Sequence, residues 1–139
     1  MRLTTRSEYG LLAMLDLAKH SSYRLVQSHE IAQRESIPEP YLNQLLTILS
    51  RAGLISSRRG PGGGYLLARP ADAITVGEIV MLLEGPPTTS EDKTDYKPYS
   101  PSLKKVCQEA QEAAERVLNS VTLADLLERE SERALRYDI

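Results

Sequence analysis

Two pairs of neighbouring side chains have the chemistry to read and grip a nucleic acid. Asn43 and Gln44 are adjacent amides, and an amide side chain can form two hydrogen bonds with the edge of adenine. Arg58 and Arg59 stand immediately before the glycine-rich segment 60–64, where guanidinium groups can reach phosphates or a minor groove. These residue types in this order indicate a surface that docks on DNA. The alternative is an ordinary polar helix followed by a solvated loop.

Catalysis and metal binding have no comparable pattern. Segment 60–64 is not followed by the lysine and hydroxyl residue that a phosphate-binding P-loop requires. His20 and His29 have no partner at the spacing of metal ligands. Both are expected at the surface, where His29 can also touch a phosphate. We therefore predict neither catalytic residues nor metal-ligating residues.

Two short helices joined by a turn are predicted to position the amides. The first runs over about 28–35 with Ser28 as its N-cap. The second runs over about 39–52, with Pro40 in its first turn and Gly53 as its left-handed C-terminal residue. Leucines recurring at i, i+3, i+4 and i+7 predict a buried stripe, formed by Leu42, Leu45, Leu46 and Leu49. The opposite face is polar and consists of Asn43, Gln44, Thr47, Ser50 and Arg51.

A β-hairpin is predicted to hold the two arginines. Residues 54–59 form a short β-capable run, 60–64 a turn and 65–67 the return strand. One interpretation of the turn is a merely flexible connection. The other is that its small profile lets the backbone approach DNA at Gly60, Gly62 and Gly63.

Further helices are predicted on both sides of this unit. The first begins near Thr5, where residues 5–8 have the spacing of a capping box, and its apolar run is typical of a central core helix. A second capping box over 75–78 begins a fourth helix that extends to about residue 83.

The composition changes after residue 84. Segment 85–101 is rich in proline and polar residues and is predicted to be a flexible loop. A helix over about 102–119 follows, roughly 27 Å long. The capping pattern at 122–125 begins a last helix that fades into a charged tail. The long helix has an apolar stripe formed by Leu103, Val106, Cys107, Ala110, Ala114, Val117 and Leu118.

Composition and charge set the broad class of the protein. Hydrophobic residues make up 41% of the 139, enough for a core of Leu, Ile, Val, Ala and Tyr in a chain without Phe or Trp. No apolar run approaches the roughly 20 residues that span a bilayer. The basic start lacks the apolar segment of a signal peptide. We therefore expect a cytoplasmic protein with no membrane partner.

The positive charge of the chain is local. The formal net charge is −2, yet segment 51–69 contains four arginines and no acidic residue. Affinity for DNA depends on the charge that faces the phosphates, and a dimer doubles such a patch. The overall acidity predicts modest non-specific binding.

One segment resembles a known protein family closely. Residues 59–67, with the sequence RGPGGGYLL, resemble the wing of the Rrf2 family of bacterial transcription regulators. Four other segments support the resemblance, which covers nearly the whole chain: residues 1–10, 41–46, 76–79 and 119–126.

The resemblance implies a mainly α fold with a small β-hairpin. Residues 1–84 would form a winged helix-turn-helix DNA-binding domain, 85–101 a flexible loop, and 102–139 a dimerisation helix and a C-terminal helix. It also implies a homodimer on a two-fold-related operator. The expected DNA-binding residues are Thr4, Ser28, Tyr41, Asn43, Gln44, Thr47, Arg51, Arg58, Arg59, Gly60, Gly62 and Gly63. The expected dimerisation residues are Leu103, Val106, Ala110, Ala114, Val117 and Leu118.

The chain departs from the iron–sulfur members of that family. Those members have three cysteines in and just after the loop before the long helix, whereas residues 90–101 contain none, and a ligand histidine is replaced near Lys104. The single Cys107 is predicted to be a small buried hydrophobe, with a redox thiol or one ligand of an unusual site as alternatives. Asn43 stands where cluster-sensing relatives can have Glu. No cofactor is therefore expected, an iron–sulfur cluster included.

The sequence favours a DNA-binding transcription regulator, interpreted as a repressor. One alternative is a winged-helix module that binds proteins and no DNA. Another is a regulator that senses an iron–sulfur cluster through atypical ligands. An enzyme has no support. The operator, the target genes and the effector stay open; a small molecule or a partner protein near residues 85–101 is the expected signal.

Overall fold

Six α-helices and a two-stranded antiparallel sheet follow one another along the part of the chain described by the computed structural model, residues 2–85 and 100–137. The helices are α1 Thr5–His20, α2 Ser28–Glu35, α3 Glu39–Arg51, α4 Val76–Glu84, α5 Pro101–Asn119 and α6 Leu123–Tyr137. The strands are β1 Ile55–Arg58 and β2 Gly64–Leu67, and a single 3-10 turn occupies Ala71–Ala73. The mainly α architecture with a small hairpin agrees with the prediction.

Helix α1 lies at the centre of the fold. Its apolar run buries Ala13, Met14 and Leu17 completely, and helices α2, α3, α4 and α6 all contact it. The predicted cap is wrong by one residue. Thr4, not Thr5, is the N-cap, and its hydroxyl accepts the backbone N–H of Ser7 at 3.2 Å.

Helices α2 and α3 form the predicted helix–turn–helix. The N-cap of α2 is Gln27 rather than Ser28, and the Glu30 carboxylate accepts the backbone N–H of Gln27 at 2.8 Å. Ser36 closes the turn in the left-handed region, with φ of 55°. Helix α3 then begins with Pro40 in its first turn, and Gly53 follows its end with φ of 78°, as predicted.

The leucine stripe of α3 is buried as predicted. Its four members are at most 1% exposed: Leu42, Leu45, Leu46 and Leu49. A side chain that buries this much apolar area contributes roughly 1.5–3 kcal/mol. The stripe therefore fixes which face of α3 turns outward.

A buried ion pair fixes α2 against α1. The Arg34 guanidinium donates two hydrogen bonds of 2.8 Å to the carboxylate of Asp16, which is fully buried. Glu35 lies beside the pair, and its burial, followed by the charge of Asp16, raises the pKa of the Glu35 carboxyl above its ordinary value. This cluster of charges therefore sits at the base of the helix–turn–helix.

The hairpin is extended by one short pairing that the sequence pattern did not indicate. Strands β1 and β2 pair from Ile55 with Leu67 to Arg58 with Gly64. Val26, in the connection before α2, pairs with Tyr65 on the other side of β2, with N···O distances of 2.9 and 2.7 Å. The hairpin is thus joined directly to the start of α2.

The C-terminal helix packs with the N-terminal elements. Thr122 and Asp125 cap α6 reciprocally, as predicted, and Leu123 is fully buried. Backbone hydrogen bonds join Val76 to Val121 and Leu123 to Ile74. The last helix extends to Tyr137 instead of fading into a tail. Most of the predicted loop 85–101, residues 86–99, lies outside the described residues.

Candidate nucleic-acid interface

The outward face of α3 is polar and unobstructed. Asn43, Gln44, Thr47 and Arg51 are all exposed, because the leucine stripe turns the opposite face into the core. Within the described residues neither amide side chain hydrogen-bonds to a protein group, whereas the Thr47 hydroxyl donates to the Asn43 carbonyl oxygen at 2.9 Å. Both amides are therefore available to an external partner.

The glycine-rich segment forms a closed turn. The N–H of Gly63 donates to the carbonyl oxygen of Gly60 at 2.9 Å, and Gly62 has φ of 77°, a conformation that residues with a Cβ rarely adopt. Gly64 approaches another part of the backbone so closely that a Cβ would lie 2.7 Å from the Val26 carbonyl oxygen. The sequence RGPGGG therefore encodes a defined wing between β1 and β2, which argues against a merely flexible turn.

The wing and the helix–turn–helix enclose an open cleft of about 590 Å³. Seven of the predicted DNA-binding residues line it: Ser28, Thr47, Arg51, Arg58, Arg59, Gly60 and Gly63. Its other lining residues are Gln27, His29, Leu46, Ser50, Ser57, Gly64 and Tyr65. None of these residues is acidic, so nothing in the lining neutralises the arginines.

Three arginines of the same domain that lie outside the cleft have acidic partners, whereas the arginines of the cleft have none among the described residues. Outside the cleft, Arg24 pairs with Glu30, Arg34 with Asp16 and Arg69 with Glu78. By contrast, none of three exposed guanidinium groups forms an ion pair or hydrogen bond within residues 2–85 and 100–137, namely those of Arg51, Arg58 and Arg59. An anion entering the cleft would meet uncompensated positive charge.

Two of the predicted DNA-binding residues already form hydrogen bonds with acidic side chains of the protein. The Ser28 hydroxyl donates to the Glu39 carboxylate at 3.3 Å. The backbone N–H and hydroxyl of Thr4 donate to Glu84, and the backbone bond is the main reason that the pKa of Glu84 lies below its ordinary value. An ionised carboxylate beside Thr4 disfavours a phosphate contact there.

Tyr41 is placed differently from the other predicted contacts. Its ring is half-buried and meets Tyr9 edge to face, with centroids 5.7 Å apart and planes at 70°. The ring therefore helps attach the start of α3 to α1. Tyr41 does not line the cleft, nor do Asn43, Gln44 and Gly62.

The prediction omitted five polar or aromatic residues of the cleft: Gln27, His29, Ser50, Ser57 and Tyr65. Ser57 and Tyr65 are cross-strand partners, which the predicted hairpin register could have revealed. Ser50 belongs to the polar face of α3, and His29 had been recognised as a residue able to touch a phosphate. Gln27 enters through the pairing of Val26 with β2, which has no local sequence signal.

The predicted dimerisation stripe divides between two sides of α5. Ala110, Ala114 and Leu118 line a cavity of about 420 Å³ that α5 forms with Val80, Met81 and other residues of α4. Its remaining members point away from the described chain: Leu103, Val106 and Val117 are 50%, 60% and 62% exposed. No residue of α5 is buried, so a large part of its apolar face has no partner among residues 2–85 and 100–137 of one chain.

Cys107 is not the buried hydrophobe that was predicted. Its position on α5 leaves it exposed, because no described residue of the single chain covers that part of the stripe. It is the only cysteine of the sequence, whereas cysteine-ligated clusters use several thiolates. Within the described residues, no three His, Cys, Asp or Glu side chains form a group able to hold a metal ion. The residues of this chain therefore do not fit a cysteine-ligated iron–sulfur cluster.

Helices α1 to α6, as far as the structure describes them, include none with the length and apolar character needed to cross a bilayer.

The chain is similar to several bacterial transcription regulators. A family profile described as "Rrf2: Iron-dependent Transcriptional regulator" matches residues 3–129. The regulator CymR of Bacillus subtilis is 39% identical over 91% of this chain and 89% of its own length. The regulator IscR of Erwinia tasmaniensis is 41% identical over 95% of this chain and 72% of its own length.

The fold is likewise shared with solved structures. The structure of T. potens IscR has a TM-score of 0.82 and 39% identity, covering 96% of this chain and 90% of that one. The similarity extends through α5 and α6, beyond the winged helix-turn-helix unit. The relatives are regulators rather than enzymes. This chain belongs to the Rrf2 family of DNA-binding transcription regulators.

Proposed function

We propose that the protein is a sequence-specific transcription regulator that binds operator DNA as a homodimer in the cytoplasm, without a cysteine-ligated iron–sulfur cluster. One observation supports this above all. A cleft beside the exposed polar face of α3 has three arginines without partners, and no acidic residue lines it, among the residues that the structure describes. Such a surface matches a polyanion whose base edges are read by neutral amides.

The two parts of the surface suit different parts of the duplex. A helix with exposed amides and hydroxyls fits the major groove, where Asn43 and Gln44 can read adenine. The wing, with Arg58 and Arg59 at its base, fits the flanking phosphates or minor groove. We therefore assign base recognition to α3 and most of the salt-dependent affinity to the wing.

The uncovered apolar face of α5 supports the homodimer. Exposed apolar side chains of this size gain free energy when a second copy covers them. Pairing two copies about a two-fold axis would present two recognition helices to two related half-sites. It would also double the local positive charge of an otherwise acidic protein.

We interpret the regulator as a repressor. Steric occupation of a promoter requires only a DNA-binding surface, and such a surface is the feature that the described residues support most strongly. An effector near residues 85–101 stays a prediction, since most of that segment lies outside the described residues.

Selection of bound genomic fragments tests the DNA-binding function. The purified protein should enrich fragments that contain a two-fold-related sequence, and its binding should weaken steeply as salt rises. The Arg58→Ala/Arg59→Ala double variant should enrich far less. The absence of any enriched fragment at any salt concentration would contradict the proposal.

A protein-interaction module is the alternative from another class. It would be favoured by an apolar exposed surface on α3, whereas that surface is formed by Asn43, Gln44, Thr47 and Arg51. The remaining alternative is a cluster held by atypical ligands. Anaerobic purification followed by a visible spectrum and iron and sulfide assays distinguishes it: colourless, iron-free protein that binds its operator would exclude cluster control.

A further inference from the structure

His29 occupies a position in the cleft that the overall DNA-binding function does not explain. It lies in the first turn of α2, is exposed, and lines the same cleft as Arg51 of α3 and the wing arginines Arg58 and Arg59. The pairing of Val26 with Tyr65 joins the start of α2 to the wing. Helix α2, helix α3 and the wing thus each contribute to the same cleft a side chain that is or can become positively charged.

Two acidic residues that flank His29 at the starts of α2 and α3 are already engaged. On its own helix, the Glu30 carboxylate pairs with Arg24 at 2.9 Å and accepts the backbone N–H of Gln27. These two contacts hold the pKa of Glu30 near 2. At the start of α3, Glu39 accepts the Ser28 hydroxyl. The lining of the cleft contains no carboxylate that could compensate a positive imidazole.

A phosphate that enters the cleft would therefore be the counter-charge of a positive imidazole. Because an opposite charge nearby favours the charged form of a group, DNA phosphates in the cleft favour the protonated ring. The bound state should consequently take up protons that the free state does not hold.

We propose that His29 is a phosphate-contacting residue of the DNA interface whose protonation is coupled to DNA binding. The inference rests on the proposed DNA-binding function and specifies its regulation by pH. A histidine side chain ordinarily changes charge at about pH 6.5. Because the complex binds more protons than the free components, operator affinity should rise as the pH falls through this range, and should level off when His29 is protonated in both states.

The size of the effect follows from one additional exposed contact per subunit. Such contacts change affinity by about threefold each, so a dimer should gain about tenfold between roughly pH 8 and pH 5.5. Each protonated imidazole also displaces about one counterion, so the slope of log K against log salt should become steeper by about 2 for a dimer.

Fluorescence anisotropy with a selected operator fragment tests the proposal. The titrations compare wild type, His29→Gln and His29→Lys at constant ionic strength across this pH range, each at several salt concentrations. His20→Gln is the matched control, because His20 is the other histidine of the chain and lies at the end of α1. All three substitutions leave the buried core unchanged.

We expect His29→Gln to reduce the pH dependence strongly and to hold the salt slope near its high-pH value. His29→Lys should retain tight binding up to pH 8, and His20→Gln should behave like wild type. An unchanged pH profile and salt slope in His29→Gln would overturn the role of His29 while leaving DNA binding intact. Failure of the wild type to bind any fragment at any pH would instead contradict the proposed function itself.

Discussion

At the residue scale, affinity for DNA phosphates depends more on whether a guanidinium group lacks a protein partner than on the number of arginines. The stretch from residue 51 to 69 contains four arginines, yet they are not equivalent. Arg69 pairs with Glu78 at 2.6 Å, whereas Arg58 and Arg59 have no partner among the described residues. Only an unpaired guanidinium can exchange counterions for a phosphate without first losing a protein contact.

Replacing Arg59 by Ala should weaken operator binding at all sequences alike. The loss of one phosphate contact per subunit should reduce the magnitude of the salt slope by about 1 for each copy. Anisotropy titrations over a range of salt concentrations measure both quantities. Arg69→Ala is the matched control, since its charge is already paired. Equal losses in the two variants would show that overall charge, not the wing contact, determines affinity.

Replacing Asn43 by Ala should act on specificity instead. The loss of a two-point hydrogen bond to adenine should reduce discrimination between the operator and a mismatched site by about 1–3 kcal/mol at each half-site. The salt slope should stay unchanged, because Asn43 is neutral. Competition titrations with single-base variants of the operator measure this. Unaltered discrimination would remove Asn43 from base recognition.

Single residues were predictable where the cause is local. The polar face of α3 follows from the spacing of its leucines, and the wing arginines follow from their place beside the glycines. The engagement of Ser28 and Thr4 was not predictable, because their acidic partners lie 11 and 80 positions away in the sequence. The two hydroxyls looked free in the sequence and are hydrogen-bonded in the fold.

At the element scale, the base of the helix–turn–helix depends on a buried charge. Asp16 is completely buried, and the Arg34 guanidinium neutralises it through two hydrogen bonds. An ion pair of this kind contributes little relative to an apolar pair, but losing one partner leaves an uncompensated charge in the interior. The orientation of α2 against α1 should therefore be sensitive to Arg34.

We expect Arg34→Ala to lower the free energy of unfolding by about 3 kcal/mol. This is the low end for a buried pair, because 32% of the Arg34 side chain remains exposed. Urea denaturation followed by circular dichroism gives the value. Arg24→Ala removes an exposed, paired arginine from the connection before α2 and should change the stability little. A stable Arg34→Ala variant would show that Asp16 is neutralised by other means.

Glu35 should make the stability of the protein depend on pH. Burial and the nearby Asp16 raise its pKa in the folded state above the ordinary value of 4.5. Its stabilising contribution is therefore complete below about pH 4.5 and is lost as the pH rises through the raised value. Glu35→Gln should unfold at a higher temperature than wild type at pH 8, with a smaller difference near pH 4.5. Thermal unfolding at both pH values tests the sign; a less stable variant at pH 8 would contradict it.

The start of a helix could be predicted when the residues that cap it lie within its own first turn. The N-caps Thr75 and Thr122 were correct because each hydroxyl accepts a backbone N–H of its own first turn. Only Asp125 completes the predicted capping box, since the Glu78 carboxylate pairs with Arg69 instead. The caps of α1 and α2 were each misplaced by one residue because a neighbouring hydroxyl could have served equally well. The full length of α6 was missed because its packing on α1, including the 2.7 Å pair of Lys19 with Glu130, is tertiary.

At the scale of the whole molecule, a positive interface has to operate within an acidic chain. The net charge is −2, so a single copy should hold DNA weakly. The uncovered apolar residues of α5 offer the means to double the interface. Dimer formation and tight DNA binding should therefore fail together when that face is altered.

Replacing Val106 and Val117 together by Glu should prevent dimer formation. Both are about 60% exposed on one face of α5, and placing charges in a shared apolar interface is costly. Sedimentation velocity should give the monomer mass, and anisotropy should show a large loss of operator affinity. Gln108→Glu adds a charge about 200° around the helix from Val106 and should leave the dimer intact. A dimeric double variant would place the interface elsewhere.

Hydroxyl-radical footprinting of a selected operator tests the central claim most directly. The claim is that two copies of α3 and the wing bind a two-fold-related site. Wild-type protein should protect two related blocks of backbone with centres about 10 base pairs apart, or a multiple of that spacing. The Arg58→Ala/Arg59→Ala variant should lose the protection at the flanks of both. A single protected block, or a footprint that the double variant leaves unchanged, would contradict the account.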